Sequence, residues 1–177
     1  MSVCNDIYPH CAFGSFLIKF FTLTFNKETE NQRWNLESSQ CTPLLRWAGS
    51  KRGSLPPLIN KWRNSQKTKY IEPFCGSAAL FFALAPKSAV LSDQNAWLIR
   101  TYQTIRNFPQ QVSALSNSFK RDKPTYLTLR AEDHRSMDDV RSAAIFVYLN
   151  RNCFNGIFRT NKAGNFNVPF SDSRTGK

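Results

Sequence analysis

The feature that most constrains the fold is the order of short elements between Tyr70 and Arg106. Tyr70-Ile71-Glu72 reads as the end of a strand, stopped by Pro73. Ala78 to Ala85 is compact, rich in helix formers and halted by Pro86. Ser88 to Leu91 has the pattern of a buried strand, and the polar turn Ser92-Asp93-Gln94-Asn95 follows it. From Ala96 to Arg106 the spacing returns to helix, with Leu98, Ile99 and Tyr102 at i, i+1 and i+4. Strand, turn, helix, strand, turn, helix is a βαβ unit. It predicts an α/β domain built on a parallel sheet with covered faces.

Further helices are predicted near Gln110 to Phe119, Thr125 to Asp133 and Asp138 to Arg151. Asp138 is placed to cap the last, and Val140, Ala143, Ala144, Val147 and Tyr148 share one of its faces. An Asn155-Gly156 turn comes next. Ile157 to Thr160, the turn Asn161-Lys162-Ala163-Gly164 and Phe166 to Val168 then read as a small hairpin closed by Pro169. Before Pro43 the character differs: an apolar run from Phe13 to Phe25 precedes a polar stretch without clear period. Lys19 interrupts the run and no basic segment precedes it, so a strand-like or poorly packed leader fits better than a targeting signal or a membrane span.

Charge narrows the partner. Lys and Arg number 24 against 12 Asp and Glu, a formal +12, and 21 of the bases but only eight of the acids lie after residue 42. A surplus concentrated in the organised part favours a polyanion, because neutralising phosphates releases counterions. Five cysteines without a C-x-x-C pair, and only His10 and His134 far apart, argue against zinc and for free thiols.

Two clusters carry chemistry. Glu72-Pro73-Phe74-Cys75-Gly76-Ser77 occupies the turn after the first strand, at the carboxyl end where α/β sheets place ligands. Gly76 permits close backbone approach, and Asp93, 21 residues after Glu72, stands where an acid accepts hydrogen bonds from ribose hydroxyls. With no G-x-G-x-x-G present, a single-nucleoside site fits better than a dinucleotide site. An ordinary tight turn with a helix-capping Asp would fit the same spacing. The second cluster, Arg46-Trp47-Ala48-Gly49-Ser50-Lys51-Arg52, sets an indole beside a small basic turn. It would suit a nucleoside with a nearby carboxylate or phosphate, or equally a Trp anchor on a solvated face.

Taken in order, Trp47-Ala48-Gly49-Ser50-Lys51, Tyr70 to Ser77, Leu91 to Asn95, Leu149-Asn150-Arg151, Phe154-Asn155-Gly156 with Arg159, and Phe166 to Phe170 resemble the Dam-type adenine-specific DNA methyltransferases. The likeness covers about residues 43–170. It implies a Rossmann-like methyltransferase sheet, S-adenosylmethionine as cofactor, double-stranded DNA as partner, and no metal or membrane. It also implies a cytoplasmic setting in a prokaryote or phage. Trp47, Lys51, Pro73, Phe74, Gly76 and Asp93 fall on cofactor-binding positions. Phe154, Asn155 and Arg159 fall on the DNA side, with Arg159 suited to guanine and Phe154 to wedging into the base stack. Ser50 replaces a usual glycine, which matters only if that backbone needs a positive φ.

The implied domains are an atypical extension over 1–42, a cofactor-binding core over 43–137, and the start of a target-recognition region over 138–177. The base-holding Asp-Pro-Pro-Tyr-like loop of the family has no counterpart, since the only Pro-Pro pair is Pro56-Pro57 before the cofactor turn. The expectation is therefore an incomplete sheet, from the N-terminal part of such an enzyme, that transfers no methyl alone. A non-catalytic basic nucleic-acid-binding module and a nicotinamide-dependent oxidoreductase are the competing readings.

Overall fold

The structure is a computed structural model and describes residues 21–26 and 42–172. Strand β1 (Phe21–Asn26), helix α1 (Leu55–Asn64), strand β2 (Lys69–Glu72), helix α2 (Ala79–Leu84), strand β3 (Ser88–Asp93) and helices α3 (Ala96–Asn107), α4 (Pro109–Ser118), α5 (Lys123–Ala131) and α6 (Asp139–Asn152) follow in order. β2 and β3 are parallel, with Tyr70 opposite Ala89 and Glu72 opposite Leu91, and α2 connects them. The predicted βαβ unit is present.

The sheet is not wholly parallel, which corrects the expectation. Its order is β1-β3-β2, and β1 runs antiparallel to the central β3 from Phe21 opposite Asp93 to Asn26 opposite Ser88. An antiparallel edge on a parallel pair is a common compromise, because it satisfies the backbone groups of β3 without a crossover helix. This strand is the described end of the apolar run from Phe13 to Phe25. The rest of that run lies outside the described residues.

Helix α1 was not foreseen. Its Pro56 and Pro57 look like breakers, yet they occupy the first turn, where a missing N–H costs nothing. Trp62 then packs edge-on against Tyr70 at 5.3 Å, fixing α1 beside β2. Helix α3 is capped by Asn95, whose Oδ1 accepts the Leu98 N–H at 3.0 Å. Asp122 and Asp138 cap α5 and α6 in the same way, the latter as predicted.

Helix α6 is more buried than one apolar face implies. Every residue from Ser142 to Asn150 is buried, because α3, α4 and α5 surround it. Its polar members are satisfied: Ser142 Oγ accepts from Trp97 Nε1 at 3.0 Å, and Asn150 bonds both ways to Arg46. Among the described residues no helix is long and apolar enough to cross a membrane.

The predicted hairpin after α6 forms only in outline. Thr160 and Phe166 make one isolated antiparallel bridge, and Asn167 donates to the Arg159 carbonyl at 3.1 Å. The ladder goes no further because the next hydrogen-bonded pair would join Ile157 to Pro169, which has no N–H and whose carbonyl accepts the Phe154 N–H at 2.9 Å. Asn161 Oδ1 takes the N–H groups of Ala163 and Asn165, while Tyr126 and Arg130 both donate to the Val168 carbonyl. The segment is a loop pinned to α5.

Candidate nucleoside and nucleic-acid site

At the carboxyl ends of β2 and β3 the chain leaves a cavity of about 790 Å3, well within the size range of small-molecule sites. The Glu72–Ser77 turn forms its floor. Gly76 has φ of +48°, its N–H donates to Asp93 Oδ2 at 3.0 Å, and its carbonyl accepts the Tyr102 hydroxyl at 3.0 Å. Cys75 N–H reaches across to the Ser92 carbonyl at 2.9 Å. The turn is therefore held from β3 and α3 together.

Asp93 is 8% exposed, and its second oxygen accepts the Asn95 N–H at 3.0 Å. An ionised carboxylate has about four lone-pair sites. Two are used by the backbone, so the carboxylate keeps acceptor capacity toward the cavity. Trp47 closes the other side. A Cβ built on Gly76 would lie 2.6 Å from Trp47 Cδ1, so only glycine lets the indole rest on the turn. The same indole stacks on Phe158 at 5.3 Å and Phe146 at 6.4 Å, each with 17° between planes.

Lys51 lies at the cavity edge but is already engaged. Its Nζ pairs with Glu72 Oε1 at 2.9 Å and donates to the Phe74 carbonyl at 3.3 Å. Glu72 is buried and also accepts from the Tyr70 hydroxyl at 2.8 Å. Burial, together with the neighbouring Glu72, holds the Tyr70 phenol well above its ordinary range. Burial, then Asp93 and Glu72, push the Cys75 thiol up to about 12, so it lines the cavity as an inert neutral group.

Trp47, Lys51, Phe74, Gly76, Asp93 and Arg159 thus line one cavity. Pro73 does not line it, and its carbonyl instead accepts from Ser92 Oγ at 3.2 Å. Phe154 and Asn155 lie outside the cavity wall, on a tight turn. Asn155 and Gly156 both have positive φ, +54° and +63°, and the Ile157 N–H closes on the Phe154 carbonyl at 3.3 Å. Asn and Gly are the residues that adopt two successive left-handed conformations at least cost. The turn exposes Phe154 (51%). Arg159 is exposed, with Nε donating to Asn167 Oδ1 at 3.0 Å. Ser50 has φ of −55°, and the positive φ falls on Gly49 instead, so the serine is accommodated without strain.

Sequence reasoning missed the outer wall. His134 stacks flat on Trp97, with 3.8 Å between ring centres and 5° between planes, and Arg135 lies beside it. Burial, followed by Arg135, holds the His134 imidazole below its ordinary pKa. These residues follow α5 in a loop without periodicity, so no local pattern announces them. Phe158 was hidden inside the supposed hairpin.

Residues 47–177 match the D12 class N6 adenine-specific DNA methyltransferase family. The chain is 38% identical over 134 residues to the type II methyltransferase M1.LlaDCHI of Lactococcus lactis subsp. cremoris, covering 72% of this chain and 47% of that protein. It is 32% identical over 148 residues to the type II methyltransferase M.MjaIII of Methanocaldococcus jannaschii, covering 72% and 51%. Against the DNA adenine methylase of Serratia marcescens the identity is 35% over 134 residues, covering 72% and 48%. The chain spans about half the length of these relatives. With the Glu72–Ser77 turn, the buried acid and the ordered motifs all inside the matched region, the chain belongs to the D12 class of N6 adenine-specific DNA methyltransferases.

Proposed function

We propose that residues 43–137 form the S-adenosylmethionine-binding core, with a Rossmann-like sheet, of an adenine-N6 DNA methyltransferase. Residues 138–177 begin its target-recognition region, and 1–42 are an extension. The observation that carries this reading is the convergence of Trp47, Gly76 and Asp93 on one cavity at the strand ends. The donor set suits the cofactor. Asp93 has lone pairs left for ribose hydroxyls, the Trp47 indole offers an aromatic face to a nucleoside or a cation, and Gly76 allows close approach. Lys51, bridging Glu72 and the Phe74 carbonyl, sets the edge where the amino-acid end would lie.

S-adenosylmethionine, when bound, supplies a methyl group activated on a sulfonium centre. The protein binds and orients. Double-stranded DNA would approach over the Phe154–Arg159 segment, where exposed Phe154 can enter the base stack, the Asn155 turn presents it, and Arg159 can donate to guanine. Transfer also needs groups that accept the amino hydrogens of adenine, because its lone pair is delocalised into the ring. No Asp-Pro-Pro-Tyr-like tetrapeptide occurs among the 177 residues, and Pro56-Pro57 serves as the start of α1. These residues therefore hold cofactor and DNA without completing transfer. The test is incubation of the protein with methyl-tritiated S-adenosylmethionine and unmethylated duplex DNA. Retained cofactor without label in DNA is expected, and label in adenine would overturn the division of labour. Binding of NAD in preference to S-adenosylmethionine would favour an oxidoreductase. DNA binding unaffected by Asp93→Ala would favour a plain binding module.

A further inference from the structure

We propose that Asn150 is a positioning residue that locks the aromatic wall of the cofactor cavity to the DNA-side turn, an inference that rests on the cofactor reading above. Asn150 is 2% exposed on α6 and lies 104 residues from its partner. Its Oδ1 accepts the Arg46 N–H at 2.9 Å, and its Nδ2 donates to the Arg46 carbonyl at 2.9 Å. This reciprocal pair treats Arg46 as a neighbouring strand would, and it fixes both peptide groups of one residue. The next residue is Trp47, which rests on Gly76 and stacks on Phe158. On the other side, the Arg46 methylenes fill the space above Gly156, where a Cβ would lie 2.5 Å from Arg46 Cβ and Cδ.

Arg46 thus touches the two halves of the site at once. Its backbone sets the indole over the cofactor turn, and its side-chain stem seats the turn that carries Phe154 and Asn155. The Trp47–Phe158 stack makes a second link, since Phe158 immediately precedes Arg159. A rotation at Arg46 would tilt the indole and release Gly156 together. The clamp therefore makes cofactor occupancy and order of the 154–159 segment depend on each other.

The experiment titrates S-adenosylhomocysteine, which carries no transferable methyl, into wild type, Asn150→Ala and Val112→Ala. Val112 is a buried core residue on α4 that does not line the cavity, so its truncation controls for lost stability. Well below both melting temperatures, Asn150→Ala is expected to weaken binding at least about tenfold, and Val112→Ala by less than about twofold. In wild type, hydrogen exchange of the Arg46 amide and of residues 154–159 is expected to slow on saturation. This readout needs no variant, so misfolding of Asn150→Ala leaves the proposal open to refutation. Equal weakening in both variants, an Asn150→Ala affinity within twofold of wild type, or unchanged exchange at Arg46 and 154–159 would overturn the clamp while leaving the cofactor reading intact. Failure of wild type to bind at all would overturn the cofactor reading, and the clamp with it.

Discussion

Replacing Gly76 with alanine puts a methyl group on a backbone at φ +48°, with Trp47 Cδ1 2.6 Å away. The backbone term is about 1–2 kcal/mol for a left-handed residue with a Cβ, partly offset by reduced freedom of the unfolded chain. This chain carries that strain elsewhere, since Ala78 and Ala85 have φ of +52° and +44°. The decisive cost is steric. The turn cannot retreat, because Asp93 holds its N–H and Tyr102 its carbonyl, and the indole cannot retreat without breaking its stack on Phe158. Overpacking of this kind costs about 1–3 kcal/mol, which brings the total to about 2–4 kcal/mol. Gly49 supplies the control: it has φ of +73° with nothing within 4 Å of its built Cβ, so Gly49→Ala should lose only about 1 kcal/mol. Urea unfolding of the two variants reads the difference from their midpoints. Equal destabilisation would refute the idea that Trp47 rests on the Gly76 turn.

Ala85, exposed at the end of α2 with φ of +44°, should tolerate glycine better than alanine. Ala85→Gly is expected to raise stability by about 0.5–1 kcal/mol, seen as a higher urea midpoint. Burial pushes Cys75 up to about 12 and Cys153 up to about 11, from an ordinary value of 9.0. The folded state therefore holds these protons where the unfolded chain releases them, and stability should fall as pH rises above about 9, by up to about 1.4 kcal/mol per pH unit for each thiol. A urea midpoint unchanged between pH 8 and pH 10 would contradict this. Arg159 is exposed, so Arg159→Ala should leave thermal stability within about 0.5 kcal/mol while weakening specific duplex binding by about 1–3 kcal/mol in fluorescence anisotropy. Undiminished binding would remove it from the DNA surface.

What could be seen in the sequence was local. Pro73 and Pro86 punctuate the βαβ unit plainly, Asp138 announces α6, and Asp93 follows Glu72 at the spacing of a nucleoside-binding pair. Elements whose signal depends on distant partners were only partly visible. The apolar leader reads as strand-like or poorly packed, and its described end is strand β1 because β3 offers it an edge 62 residues further on, at the Asn26–Ser88 pair. Helix α1 was obscured by two prolines whose meaning depends on their place in the first turn. The hairpin stays short because the next hydrogen-bonded pair would join Ile157 to Pro169, which has no N–H and whose carbonyl takes the Phe154 N–H. Asp93, Gly76 and Trp47 stand out in the sequence as candidates in two separate clusters, joined there by the family resemblance, and they line one cavity. The engagement of Lys51 by Glu72 and the hold of Asn150 on Arg46 were not legible, because neither follows from any spacing along one element.

The central claim is that the cavity over Gly76 binds S-adenosylmethionine through Asp93. Isothermal titration of S-adenosylmethionine into the wild-type chain and into Asp93→Ala tests it most directly. One site per chain with a dissociation constant on the order of 1–100 μM is predicted, weakened at least about tenfold by the substitution, a loss of about 1.4 kcal/mol or more. Absence of heat in the wild type at millimolar cofactor, or equal affinity in folded Asp93→Ala, would contradict it.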